Sequence, residues 1–141
     1  MQAELEMWEE ECLEILGRHS LGRVAIVVDG QPQIFPVNYA INGRTLAIRT
    51  AAGSKLSHAP NSKVAFEIDE YDSSAGVGWS VMVQGTIRDI TEAADEQALE
   101  LRRLSPRPAA PGTRNLMLAL VASRVSGRRF GDAGIVRPLP F

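Results

Sequence analysis

Cysteine is almost missing from this chain: Cys12 is the single one in 141 residues. That excludes an internal disulfide and suits a reducing cytoplasm. Histidine is nearly as scarce. His19 and His58 lie 39 positions apart, with no cysteine or carboxylate at ligand spacing, so no zinc centre or other resident metal is expected. No apolar run reaches the roughly 18 residues that a membrane-spanning helix needs. The opening MQAELEMWEEE is acidic and has no apolar h-region, so no targeting segment and no membrane partner are expected. Cations are not in excess either. Fifteen Lys and Arg against 17 Asp and Glu leave a net charge of −2, which argues against nucleic acid as the main partner. The G-x-S-x-G, G-x-G-x-x-G and Walker spacings are all absent, which removes the usual hydrolase, dinucleotide and P-loop signatures.

What is present reads as one domain over 1–141, with a helix at about 4–16, a barrel core at about 21–130 and a surface tail at 131–141. Hydrophobic residues make up 45%, enough for a core at this length. Leu5, Trp8, Cys12, Ile15 and Leu16 recur at helical spacing, and Gly17 offers a C-cap. Asp29-Gly30 and Asn42-Gly43 each signal a type I′ hairpin, so Gly22–Val28, the Ile34–Ile41 run and Leu46–Thr50 form a three-stranded meander. Ser54–Ala59 reads as a short helix or turn. Val64–Ile68 alternates as a fourth strand, Tyr71–Gly78 reads as a polar loop, and Trp79–Ile90 is a fifth strand. Thr91 is placed to cap a second helix, followed by a proline-rich connector at Ser105–Gly112. Leu116–Phe130 fits a helix or a sixth strand, the β-branched residues and Gly127 favouring the strand. Six short antiparallel strands with flanking helices imply a mainly β fold, a small closed barrel.

Four clusters carry candidate chemistry. Arg49, Thr50, Ser54 and Lys55 place two cations and two hydroxyls around Gly53, a donor set that suits a phosphate monoester, although an ordinary solvated loop has the same local pattern. Pro36-Val37-Asn38-Tyr39 puts a proline and an asparagine in a strand. That fits an irregular edge offering unpaired backbone groups and one amide to a planar ligand, or simply an irregular barrel strand. Trp79-Ser80 opens a strand at a glycine-containing loop and reads as a cover for such a ligand, or as core or dimer interface. Gly127-Arg128-Arg129-Phe130 supplies cations near its aromatic, for a ligand or for solvent.

Taken in order, GRVAIVVDGQPQIFPVNY, IRTAAGSKL, VAFEIDEYD and GWSVMVQGTI resemble the pyridoxamine 5′-phosphate oxidase-like flavoproteins of the FMN-binding split-barrel fold, over about residues 8–130. The resemblance implies a six-stranded antiparallel split barrel acting as a homodimer, with FMN in a cleft between the subunits. It implies Arg49, Thr50, Ser54 and Lys55 on the phosphate, Pro36, Val37, Asn38 and Tyr39 along the flavin ring, Trp79 and Ser80 reaching the flavin from one or other subunit, and Arg129 near the cofactor. The implied activity is an FMN-dependent oxidoreductase passing hydride or electrons to a small molecule. The C-terminal substrate residues of the true oxidases are only loosely matched, so oxidation of pyridoxamine phosphate itself is not implied. Two alternatives accompany this reading: a reductase of the same fold using the deazaflavin F420, and a non-catalytic flavin or haem protein with His19 or His58 on the iron.

Overall fold

The computed structural model describes residues 2–51, 53–104 and 115–132. The elements run β1 (Gln2–Glu6), α1 (Glu9–Arg18), β2 (Leu21–Val28), β3 (Gln31–Asn42), β4 (Thr45–Ala51), a 3₁₀ turn (Lys55–His58), β5 (Lys63–Asp72), β6 (Val77–Asp89), α2 (Glu96–Arg103) and β7 (Asn115–Asp132). All strand pairs are antiparallel, and the order β7-β4-β3-β2-β5-β6 closes because β6 also pairs with β7. This ring is the six-stranded barrel that the alternation predicts.

A seventh strand lies outside the ring. The helix expected from about residue 4 does not include Glu4–Glu6: Gln2–Glu6 is extended, paired with Arg128–Asp132 of β7. Ala3 and Leu5 alternate with glutamates, so period two fits this stretch as well as a helical period does. The deciding factor is remote. β4 reaches only Asn115–Val121 of β7, and β1 covers the edge left beyond it. The helix therefore starts at Glu9, and its cap is His19, whose N–H donates to the Leu16 carbonyl, with Gly17 inside the helix. Cys12, Ile15 and Leu16 are buried against the barrel, while Trp8 stays exposed. Burial, with Glu11 and Glu9 nearby, pushes the Cys12 thiol up to about 11, so it is packing and not a nucleophile.

Asp29 and Gly30 both have positive φ, as a type I′ turn requires. The second hairpin is displaced by one residue. Asn42 pairs with Thr45, leaving Gly43-Arg44 as the loop, and only Gly43 has positive φ, the type II′ pattern. The predicted loop Tyr71–Gly78 shrinks to four residues because pairing continues to Asp72↔Val77. The Asp72 carboxylate closes it by accepting from Ser74 and Ala75. β7 carries a bulge at Ser123, opposite the Gln84/Gly85 junction. A Cβ on Gly85 would stand 2.1 Å from the Val121 carbonyl oxygen, so the bulge needs glycine there.

The barrel is filled by alternate residues of every strand, with Phe66, Leu46, Ile48, Leu118 and Leu120 fully buried. α2 packs on the outside, where Ala98 and Leu101 meet Ala47, Met117 and Ala119. Its N-cap is Asp95, not Thr91. Asp95 accepts from the Ala98 N–H at 3.3 Å, and Thr91 instead bonds Asp89. The Arg88 guanidinium, paired with Asp95, holds that carboxyl at about 2 against an ordinary 3.8. A depressed folded value means that its stabilising effect is complete above about pH 4 and is lost as pH falls towards 2. Asp95→Ala is thus expected to lower the thermal midpoint at pH 6 and to melt with the parent chain near pH 2, as read by circular dichroism. The Ser105–Gly112 connector and the tail beyond Asp132 lie outside the described residues, while Gly131 and Asp132 belong to β7.

Candidate functional site

β3 changes its neighbour at Tyr39. Gln31–Asn38 pair with β2, but pairing with β4 runs only from Tyr39↔Ile48 to Asn42↔Thr45. Upstream of Tyr39 the two strands part. Pro36, which has no N–H to offer a ladder, sits where they separate. The gap is a recess of about 170 Å³, and Pro36, Val37, Asn38, Arg49, Thr50 and Ser54 line it.

Thr50 and Ser54 meet there, their hydroxyl oxygens 3.0 Å apart. The chain reaches Ser54 by a turn with Gly53 at φ +86°. Ser54 Oγ also accepts from the Ser57 N–H at 3.3 Å, which fixes the hydroxyl at the head of the 3₁₀ turn. Thr50 is buried although polar. Arg49 extends from β4, and its Nε is buried with no hydrogen-bond partner among the described residues. An unmet buried donor on a charged group costs about 1–3 kcal/mol or more. A guanidinium beside two hydroxyls is a donor set for an anionic oxygen ligand.

The other expected residues lie elsewhere. Lys55 is exposed beside Ser54. Tyr39 points into the core. Its hydroxyl donates to the Leu16 carbonyl at 2.6 Å, its ring meets Phe66 edge-on at 4.9 Å, and burial pushes the phenol up. Trp79 is half-buried, packed on the core with the His19 ring 5.2 Å away. Ser80 is on the outer face, between Asp69 and Arg128 in register. Arg129 is bound to Glu11 of α1 through Nε at 2.9 Å and a second nitrogen at 2.5 Å.

Leu21, Phe35 and Leu56 complete the recess and are absent from the expected set. Leu21 was within reach of sequence reasoning: counting back from the Asp29-Gly30 turn places it opposite Asn38, as found. Phe35 and Leu56 carry no such signal. On the outer face beyond Leu21, Arg23 pairs with both Glu67 at 2.6 Å and Asp69 at 2.8 Å. Partial burial, and Asp69 sharing the same cation, hold the Glu67 carboxyl above its ordinary value.

The family model described as pyridoxamine 5′-phosphate oxidase matches residues 8–129. An FAD binding protein from Mycobacterium smegmatis is 34% identical, with 90% of this chain and 98% of that one superposed at a TM-score of 0.74. An uncharacterised protein of Mycobacterium tuberculosis is 32% identical over 107 residues, 71% of this chain and 68% of the relative. An FAD and heme binding protein from Mycobacterium smegmatis, 22% identical, shares the fold, covering 89% of this chain and 71% of that one at a TM-score of 0.64. With its closed six-stranded ring and its recess between β3 and β4, the chain belongs to the pyridoxamine 5′-phosphate oxidase family and has the architecture of its flavin-binding split barrels.

Proposed function

We propose that this protein is an FMN-dependent oxidoreductase, working as a homodimer on a small molecule. The observation that carries this reading is the buried, unpartnered Nε of Arg49 in the recess beside Thr50 and Ser54. Arg49 is assigned to the charge of the flavin phosphate, the two hydroxyls to its oxygens, and Lys55 to long-range attraction from the rim. Pro36, Val37 and Asn38 border the ring, through backbone groups that β4 does not pair and through the Asn38 amide. When bound, the flavin supplies the hydride or electron transfer, and the chain supplies position and charge. The recess is smaller than the roughly 300–1,000 Å³ of ordinary ligand sites, which supports a site completed by a second subunit, with Trp79 and Ser80 as its contribution.

Two features narrow the reading. Arg128 pairs with Glu4 and Arg129 with Glu11, so neither is available for a substrate phosphate, and pyridoxamine phosphate is not the proposed substrate. His19 and His58 do not line the recess, which favours flavin over haem. FAD in place of FMN is a second reading, favoured by the relative named as an FAD binding protein.

The test is the visible spectrum of the purified protein, followed by mass measurement of whatever heat releases. A flavin spectrum and the mass of FMN are expected, with oxidation of a reductant once an acceptor is supplied. The mass of FAD would replace FMN by the second reading, and that of F420 would transfer the site to a deazaflavin. A colourless protein that takes up neither added FMN nor added FAD overturns the assignment.

A further inference from the structure

β2 and β5 separate at the end of the barrel away from the flavin recess. Their ladder stops at Ala25↔Ala65, and the next two positions, Ile26 against Val64 and Val27 against Lys63, are not paired. A cavity of about 740 Å³ opens there, more than four times the recess of about 170 Å³. Ordinary ligand sites occupy roughly 300–1,000 Å³. The cavity and the recess share no lining residue. Val27 of the cavity and Leu21 of the recess stand at opposite ends of β2, roughly 20 Å apart along an extended chain.

The lining is apolar on one side and cationic on the other. Ala25 and Ala65 are too small to fill the outer face where they pair, and the parted strands expose the otherwise buried Ile26 and Val64 to the cavity. Val27, 66% exposed, and its register partner Pro32 continue this apolar side. On the polar side Lys63 stands opposite Thr86, and Gln84 opposite Arg124. The bulge at Ser123 sets that last pairing. Regular register from Gly85↔Ala122 would place Ser123 opposite Gln84, and the extra residue puts Arg124 there instead. The Ser123 hydroxyl holds the bulge by donating to the Gln84 carbonyl at 3.0 Å. Neither Lys63 nor Arg124 makes an ion pair among the described residues, whereas Arg23 and Arg128 on the same outer face are both paired. No carboxylate lines the cavity.

We propose that this cavity is a second binding site, for a small organic acid with an apolar body. The carboxylate lies between Lys63 and Arg124, and the aliphatic chain lies on Ala25, Ala65 and the opened Ile26 and Val64. Two cations with no carboxylate beside them draw an anion, and each offers it a charge-assisted hydrogen bond. The apolar side sets the rest of the ligand: an inorganic anion gains nothing from it, and an uncharged chain gains nothing from the cations. The site stands independently of the flavin reading, because the two cavities have no residue in common.

Calorimetric titration of the full chain with octanoate tests the site, with octanol and inorganic phosphate as probes of its two halves. Octanoate is expected to bind once per chain with a Kd below about 1 mM, and octanol and phosphate at least about tenfold more weakly. Saturating FMN is expected to leave the octanoate affinity unchanged. Lys63→Gln with Arg124→Gln, both exposed positions, is expected to weaken octanoate about tenfold with an unchanged circular dichroism spectrum, and 1 M salt to act in the same direction. Ala65→Leu fills the floor and keeps both cations, so it is expected to abolish binding. Octanoate that binds above the millimolar range, a double variant that binds it as tightly as the parent, or an Ala65→Leu chain that folds and still binds it overturns the site. Displacement of octanoate by FMN also overturns it, by placing the acid in the flavin recess. Binding to phosphatidylglycerol vesicles without binding to octanoate overturns it as well, and gives the two cations to a lipid surface.

Discussion

Arg49→Ala is expected to purify nearly free of flavin and to bind added FMN at least about a hundredfold more weakly. Charge-assisted hydrogen bonds contribute about 1.5–3 kcal/mol each, and a guanidinium in a recess can make two of them to one phosphate. Losing both therefore outweighs any single hydroxyl. Thr50→Val and Ser54→Ala remove one bond each, from an uncharged donor, and are expected to cost about tenfold each. Lys55→Ala is expected to cost least, and mainly at low salt, because its ammonium is exposed and screened. The ranking is specific to the geometry, since the bare sequence offers Arg49 and Lys55 as equal cations. Tryptophan quenching or flavin fluorescence titration would measure it. An Arg49→Ala protein that leaves the column with a full complement of flavin would show that the phosphate lies elsewhere. The parent fold should survive the change, because the unmet Nε of Arg49 costs stability in the empty protein and alanine removes that cost.

Local signals carried the barrel. The Asp29-Gly30 turn sets the β2–β3 register out to Leu21↔Asn38, and alternation in Val64–Ile68 assigns the inward face correctly. The recess was legible for a related reason: Pro36 and Asn38 are poor ladder residues, and they mark where β3 leaves β4. What escaped depended on partners distant in the chain. β1 looks helical until the uncovered edge of β7 is known. Thr91 looks like a cap until Arg88 and the Ala98 N–H are seen to share Asp95. Tyr39, next to Asn38 in sequence, belongs to the core because successive strand residues face opposite ways.

Arg129 shows the same limit and leads to the largest stability effect expected here. Basic and close to Phe130, it suggests a ligand, yet its partner is Glu11, one of three consecutive glutamates at the start of α1. Only Glu11 of the three faces inward, and its side chain is 2% exposed against 24% for Arg129. Arg129→Met leaves that carboxylate buried with its cation gone, a loss worth about 3–5 kcal/mol. For a chain of this length the thermal midpoint is expected to fall by about 10–15 °C. Glu11→Leu combined with Arg129→Met should recover most of the loss, because a buried ion pair replaced by apolar side chains of similar volume is often neutral. The helix would then be held by Cys12, Ile15 and Leu16 in the core, by the Tyr39 hydroxyl on the Leu16 carbonyl and by the Arg44–Glu9 ion pair. Flavin content per folded molecule, measured well below the midpoint, distinguishes a fastener from a ligand. If Arg129 only ties α1 to β7, flavin content is unchanged in the double variant. If flavin is lost while the thermal midpoint is restored, Arg129 reaches the cofactor and its pairing with Glu11 is a resting arrangement.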